Sequence, residues 1–154
     1  MHTLFIDADA CPVKAEAAQV AARYRFRVVL VANAPMRAPA GPAVELIVRG
    51  GFGAADDYIA EQVGPGDVVV TADIPLAARC LTAGGRVLDP RGRRFTDNDI
   101  GTLLALRDLN DTLRQSGQTT PGARPMTPKD RSRFRATLDQ LINEVLRANP
   151  PRAS

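Results

Sequence analysis

Unbroken apolar segments of five or six residues alternate with amphipathic segments along the first 95 residues of the sequence. An apolar segment without polar alternation is typical of a strand that is buried on both faces, as in a parallel sheet. Such strands are joined by right-handed helical crossovers, which cover both faces of the sheet. The sequence therefore predicts an α/β fold, a three-layer α/β/α sandwich around a mainly parallel sheet. The predicted strands are residues 3–7, 27–32, 44–48, 67–71 and 85–89.

Three helices are predicted between these strands, at residues 11–25, 54–63 and 73–84. Pro12 and Pro75 fall in the first turns of two of them, where the missing N–H of proline costs nothing. The connecting segments are rich in Gly and Pro and predict loops. These loops are residues 33–43, 64–66 and 89–94.

The pattern becomes purely helical after residue 95. One helix is predicted to start at a capping pair of Thr96 and Asp99, with an apolar stripe behind it. Residues 116–125 are rich in Gly, Pro, Ser and Thr and predict a flexible loop. The stripe consists of Ile100, Leu103, Leu104 and Leu113.

The last helix is predicted to open on a capping box of Thr127 and Asp130, with Pro128 as its first residue. Apolar residues at helical spacing follow, and arginines lie on the opposite face. The predicted buried face is Phe134, Leu138, Leu141, Ile142 and Val145.

A chain of 154 residues, of which 45% are hydrophobic, is long enough for one domain and too short for two ordinary ones. We therefore expect a single domain over residues 1–154, with an α/β core at 1–95 and C-terminal helices at 96–148. No apolar stretch is long enough to span a bilayer, and the N-terminus lacks the features of a signal peptide. A cytoplasmic protein without membrane contact is the resulting expectation.

Histidine and cysteine are scarce, which excludes several kinds of catalytic site. His2 is the only histidine, so serine–histidine, cysteine–histidine and histidine-rich zinc sites lack their base or ligands. Cys11 and Cys80 are too few for a disulfide framework and are expected to be buried free thiols. Any catalysis by this chain must depend on carboxylates.

Aspartates fall repeatedly where a predicted strand ends. The carboxyl ends of parallel strands meet at one edge of the sheet, which is where open α/β folds bind ligands. Like charges gathered there are tolerated when a divalent cation lies among them, and hard oxygen ligands favour Mg²⁺ or Mn²⁺. The predicted metal ligands are Asp7, Asp9, Asp56, Asp57 and Asp73; of these, Asp7, Asp56, Asp57 and Asp73 are the predicted catalytic residues.

Most of these acids also have a structural explanation. Asp73 has the position of a helix N-cap, and Asp56 and Asp57 would complement the dipole of the helix that they open. Asp9 fits a turn or a cap. Asp7 is the hardest to explain structurally, because a carboxylate at the buried end of a strand has no capping role.

Six ordered motifs carry a resemblance to a known family. Together they resemble the YaiI/YqxD family of uncharacterised bacterial proteins, which is similar in fold to PIN-like nucleases. The resemblance implies a PIN-like domain whose acids hold Mg²⁺ or Mn²⁺ for phosphodiester cleavage. The motifs are DADACP (7–12), VAN (31–33), AADDYI (54–59), TADIPLA (71–77), DPRG (89–92) and RDLNDTLR (107–114).

By position, Asp7 resembles the first PIN acid, Asp56 or Asp57 the second, and Asp73 the third. The fourth acid has no matched position, and its candidates are Asp89, Asp97 and Asp99. Asp97 and Asp99 are better explained as helix-capping residues.

The resulting hypothesis is metal-assisted hydrolysis of a nucleic acid, with RNA favoured over DNA by analogy to PIN relatives. Phosphate contacts from arginine and asparagine would bind the substrate without reading its sequence. A monomer and a homodimer are both compatible with the sequence. The predicted substrate-binding residues are Asn33, Arg37, Arg49, Arg91, Arg93 and Arg94.

Three alternatives remain open at this point. The chain is also compatible with a nucleic-acid or protein-binding module of the same fold that lacks catalysis. Asp7 and Asp9 have the spacing of a haloacid-dehalogenase-like phosphatase, in which Asp7 would be the nucleophile. Cys11 as a thiolate nucleophile is a third alternative, since a helix N-terminus lowers the pKa of a thiol.

Overall fold

The computed structural model describes residues 2–115 and 125–149. In this part of the chain, six strands form one sheet in the order β3-β2-β1-β4-β5-β6. The strands are β1 Thr3–Asp7, β2 Arg27–Ala32, β3 Val44–Val48, β4 Val68–Val70, β5 Arg86–Leu88 and β6 Arg94–Phe95. The helices are α1 Lys14–Arg23, α2 Ala54–Gln62, α3 Ile74–Thr82, α4 Asp97–Gln115 and α5 Pro128–Ala148.

The sheet is parallel except at one edge. β1 lies at its centre, where Ile6 pairs with Leu30 of β2 on one side and with Val70 of β4 on the other. The added strand β6 pairs antiparallel with β5. The mainly parallel sheet is confirmed, whereas the loop predicted at 89–94 was wrong at its end, because Arg94 begins β6.

Side chains of β1 divide between two buried clusters, as the alternation of a strand requires. Leu4 and Ile6 belong to a cluster with residues of α1 and α5. Phe5 belongs to a second cluster with residues of α2, α3 and α4. Helices therefore cover both faces of the sheet, which confirms the three-layer α/β/α sandwich.

The start of α1 differs from its prediction. A 3-10 turn at Ala8–Ala10 follows β1, and the helix begins only at Lys14, so Pro12 lies before its first turn. The residue before a proline avoids helical backbone angles, and Cys11 is extended with φ −111° and ψ 105°. Pro75 lies in the first turn of α3 as predicted. Strands β4 and β5 are shorter at both ends than predicted.

The capping predictions for the C-terminal helices are confirmed. The Asp99 N–H donates to Thr96 Oγ1 at 3.3 Å at the start of α4. Thr127 and Asp130 form the reciprocal capping box of α5, whose five predicted apolar residues are all buried. In the α4 stripe Leu103 is buried, and Ile100 and Leu104 are half-buried. The Leu113 side chain and residues 116–124 of the predicted loop lie outside what the structure describes.

Among the described residues, three ion pairs attach α5 to other parts of the molecule. Arg91 contacts the buried Asp130 at 2.7 Å, and Arg94 contacts Glu144 at 2.6 Å. A third pair joins Arg131 to Glu16 of α1 at 2.7 Å. The described helices include none with the length and apolarity needed to cross a bilayer.

The turn between β5 and β6 packs so closely on α5 that it needs glycine. Gly92 has φ +88°, and a Cβ there would lie 2.8 Å from the backbone carbonyl of Arg133. We expect Gly92→Ala to lower the free energy of unfolding by at least about 2 kcal/mol, through backbone strain and overpacking. Chemical denaturation measures this effect. Gly101→Ala is the matched control, because its new methyl group meets nothing within 4 Å and should stabilise α4 slightly.

Candidate active site

Asp7 ends the central strand at the carboxyl edge of the sheet, and its side chain is half-buried. Its Oδ2 atom accepts a hydrogen bond from Thr71 Oγ1 at 2.8 Å. Loss of water contact is the main cause that raises the pKa of the Asp7 carboxyl from 3.8 to about 6. The nearby carboxylates of Asp56, Asp73 and Asp9 raise it further, and the Thr71 hydrogen bond opposes them. Asp7 thus lies among like charges that are close enough to affect its ionisation.

Asp73 is tied to Asp7 through a single hydroxyl group. The Asp73 N–H donates to Thr71 Oγ1 at 3.0 Å, and the same oxygen donates to Asp7. Asp73 also caps α3, because its Oδ1 atom accepts from the Leu76 N–H at 2.9 Å. The alternative structural explanation for Asp73, a helix N-cap, is therefore confirmed, and its predicted role as a metal ligand stays a prediction. Capping uses Oδ1, and Oδ2 makes no hydrogen bond to a residue within the described ranges.

Thr71 was not among the predicted site residues. It is buried and follows directly after Val70, the partner of Ile6. Ile6 and Val70 are the last pair between β1 and β4. The next residues of the two segments, Asp7 and Thr71, therefore lie side by side. The sequence does contain a signal for this role. In the motif TADIPLA, Thr71 is a hydroxyl residue that directly follows a continuous apolar strand and precedes Asp73.

Asp56 and Asp57 open α2 and have different surroundings. Successive helical residues project about 100° apart, so the two side chains cannot face the same site. Asp56 is half-buried, and burial and then the Asp73 carboxylate raise its pKa. Asp57 is exposed and forms an ion pair with Arg79 of α3 at 2.9 Å. Of the two, Asp56 is the one that affects the ionisation of Asp7.

Asp9 is exposed in the 3-10 turn after β1. Its two carboxylate oxygens accept from the Asn33 N–H at 3.2 and 2.9 Å. Asp9 thereby connects the turn to the end of β2, which agrees with the expected turn role. Its charge still contributes to the raised pKa of Asp7.

The acids do not form a ready-made ligand shell. Across residues 2–115 and 125–149, no three His, Cys, Asp or Glu side chains are grouped so that they could hold a metal ion. The donor set nonetheless suits a hard cation, since it consists of carboxylates without histidine. Asp7, Asp56 and Asp73 form no ion pair with any described residue.

The predicted substrate-binding residues fall into two groups. Asn33, Arg37 and Arg49 are exposed, and Arg49 lies with Cζ 4.9 Å from the centre of the Tyr58 ring. Asn33 and Arg49 directly follow β2 and β3, so they share the sheet edge with the acids. Arg37 lies further along the loop from Asn33.

The second group lies around the β5–β6 turn. Arg91 and Arg94 pair with acids of α5, whereas Arg93 is exposed. Asp89, a candidate fourth acid, accepts hydrogen bonds from the backbone N–H groups of Arg91 and Arg93 at 2.9 and 2.8 Å. It therefore closes this turn. The substrate contacts of these arginines stay predictions.

Both cysteines are buried and free, as predicted. Burial is the main cause that raises the pKa of the Cys11 thiol to about 11 and that of Cys80 to about 12. At neutral pH both are protonated thiols. The thiolate nucleophile considered for Cys11 is therefore not supported.

Comparison with known proteins places this chain in a family. The family model described as "Uncharacterized BCR, YaiI/YqxD family" matches residues 5–144. The chain belongs to the YaiI/YqxD family. No solved structure gives a significant match to this YaiI/YqxD protein.

Several relatives of this YaiI/YqxD protein bear the name UPF0178 protein. One from Rhodospirillum centenum is 53% identical over 152 residues, which cover 96% of this chain and 99% of the relative. One from Rhodopseudomonas palustris strain BisB5 is 52% identical over 151 residues, with 96% and 92% covered. One from Caulobacter vibrioides is 52% identical over 149 residues, with 96% and 97% covered.

Substitution of Asp7 should change how stability depends on pH. The folded-state pKa of about 6 lies above the ordinary value of 3.8. The stability contributed by the proton on Asp7 is therefore full below pH 3.8 and is lost as the pH rises through 6. We expect Asp7→Asn in EDTA to match wild type at the acid end and to be more stable by about 1 to 2 kcal/mol above pH 6, allowing for partial solvent access.

Urea denaturation at a series of pH values measures this difference. Glu61→Gln, an exposed change on α2, is the control and should follow the wild-type profile. A variant at Asp7 that is less stable than wild type at neutral pH would contradict the account of Asp7.

Thr71→Val tests whether one hydroxyl links the two acids. The half-buried N–H of Asp73 would lose its acceptor, which should cost about 1 kcal/mol of stability. Because the Thr71 hydrogen bond lowers the pKa of Asp7, that pKa should rise in the variant. A carboxyl-carbon NMR titration measures it, with Thr82→Val on the exposed side of α3 as control. An unchanged Asp7 midpoint would rule out the link.

Proposed function

We propose that this protein is a metal-dependent, PIN-like nuclease that hydrolyses phosphodiester bonds of RNA or DNA, with RNA preferred. The observation that carries the proposal is the convergence of Asp7, Asp56 and Asp73 from three separate segments at the carboxyl edge of the sheet. The charges of Asp56 and Asp73 raise the pKa of Asp7, and that of Asp73 raises the pKa of Asp56. None of the three forms an ion pair with a described residue, although the charge of Arg79 lowers the pKa of Asp56. Helix capping accounts for Asp73, and the dipole of α2 favours an acid at Asp56, but neither accounts for Asp7.

The ion would be held by Asp7, Asp73 and Asp56. Asp57 is the alternative to Asp56, and Asp9 would be a further ligand from the turn after β1. A bound Mg²⁺ or Mn²⁺ supplies polarisation of the phosphate and an acidified water molecule. Thr71 orients Asp7 and Asp73 relative to each other through its two hydrogen bonds. The Asp57–Arg79 ion pair holds the start of α2 against α3.

The substrate would be bound by exposed groups at the same edge. Asn33 and Arg49 lie at the ends of β2 and β3, within the loops that surround the acids. Arginine suits a phosphate because its planar donors match the phosphate oxygens. Cationic side chains beside the acids would offset the repulsion between acids and a polyanion.

A binding module without catalysis is the second candidate. It is favoured by the absence of a preformed three-ligand cluster in the described part of the chain and by the turn role of Asp89. The phosphatase alternative is weaker, because Asp9 already binds the Asn33 N–H. In addition, the buried thiol of Cys11 occupies the position where that mechanism uses a hydroxyl residue.

Calorimetric titration of Mn²⁺ into wild type and Asp7→Asn tests the proposal, followed by incubation with single-stranded and duplex RNA and DNA. We expect wild type to bind Mn²⁺ and cleave, and Asp7→Asn to lose both, because Asp7 is the central ligand. Glu61→Gln also removes a carboxylate from α2, but at an exposed position away from the site. It should behave as wild type. Binding of nucleic acid without cleavage in Mn²⁺ would favour the module instead.

A further inference from the structure

Phe52 is a phenylalanine that the core does not use. The chain has five phenylalanines, and the other four, Phe5, Phe26, Phe95 and Phe134, are buried. The Phe52 side chain is completely exposed, with 109% relative accessibility. Leaving a phenyl ring in water forgoes the stabilisation that burial would give. Packing therefore does not explain an aromatic residue at this position.

The loop that carries Phe52 leads directly into the candidate active site. It joins β3 to α2, whose first turn contains Asp56. Gly51 and Gly53 flank the phenylalanine with φ values of +112° and +71°, conformations that favour glycine. These backbone conformations present the ring to solvent at the edge of the sheet where the acids lie.

The residues around this loop are of the types that line a surface for binding nucleic acid. A Cβ built on Gly50 would lie 3.7 Å from the Asn33 carbonyl oxygen, so the loop runs beside the end of β2. Arg49, which starts the loop, is exposed and lies over the Tyr58 ring at 4.9 Å. Aromatic faces beside cationic side chains are the features with which proteins bind single strands, because the rings stack on bases and the cations contact phosphates.

We propose that Phe52 stacks on an unpaired base of the substrate and that the site consequently takes single-stranded nucleic acid. The inference deepens the proposed function and rests on it, since the acids at the same edge of the sheet supply the reason for a phosphodiester to be there. Bases in a duplex are already stacked and offer no free face to a ring. A protein partner is the competing occupant of an exposed phenyl ring, but it accounts less well for the adjoining arginine and carboxylates.

Binding of a fluorescein-labelled, mixed-sequence single-stranded RNA in EDTA tests the inference without cleavage of the probe. We expect Phe52→Ala to bind this RNA roughly 5- to 100-fold more weakly than wild type, the range of stacking losses on alanine substitution. The thermal midpoint should not fall, because the ring contacts no core. Leu106→Ala is the control, since Leu106 is the other large exposed hydrophobic of the described residues, and it should bind as wild type does.

A tryptophan at the same position reports stacking directly. The chain contains no tryptophan, so Phe52→Trp creates a single indole whose fluorescence a stacked base quenches. We expect quenching by the single-stranded RNA and none by the same sequence annealed into a duplex. Leu106→Trp, which places the indole on α4, should stay unquenched.

The outcomes separate this inference from the nuclease proposal. Loss of affinity in Phe52→Ala together with quenching in Phe52→Trp supports stacking, whether or not Mn²⁺ produces cleavage. Unchanged affinity in Phe52→Ala, equal quenching by duplex, or no binding of single strands by wild type overturns it. Absence of cleavage by wild type in Mn²⁺, with stacking intact, counts against the nuclease alone.

Discussion

Burial of the Asp7 carboxylate at the end of the central strand is the constraint around which the site is arranged. β1 has strands on both sides and helices above and below, so its last side chain cannot turn fully into water. Desolvation and neighbouring acids raise the pKa of Asp7 to about 6, which means that its ionised form weakens the fold at neutral pH. Thr71 offsets only part of this cost, because it supplies one hydrogen bond.

Parallel topology explains why other segments bring further acidic side chains to the edge of the sheet where Asp7 lies. Every parallel strand ends at one edge, and each following helix begins there, so caps and first-turn acids accumulate beside Asp7. Asp73 has an ordinary capping role and Asp57 an ordinary ion pair. Asp56 has neither, but it lies in the first turn of α2, where the helix dipole favours an acid, and the charge of Arg79 lowers its pKa. Asp7 is therefore the acid for which capping, turns, ion pairs and the helix dipole give no explanation.

The elements that match their predictions are those in which one physical signal dominates. The first three strands match their predictions at both ends, because unbroken apolar runs followed by polar residues define them. The two-residue strand β6 has no such run and was missed within a basic turn. In the site, the sequence predicted that Asp56 and Asp57 lie at the start of a helix. It did not predict which of the two faces Asp7, because that depends on how α2 packs against α3. Thr71 was missed because its role follows from the register between β1 and β4.

The cost at Asp7 bears on the choice between an enzyme and a binding module. A module that only needs a cationic surface for nucleic acid gains nothing from the half-buried Asp7 carboxylate, which repels phosphate and weakens the fold. A site that binds a divalent ion recovers that cost when the ion is bound, since the like charges then attract it. Strain that the fold does not require is typical of functional sites. The position of Asp7, rather than the number of acids, is therefore the stronger argument for metal chemistry at this edge of the sheet.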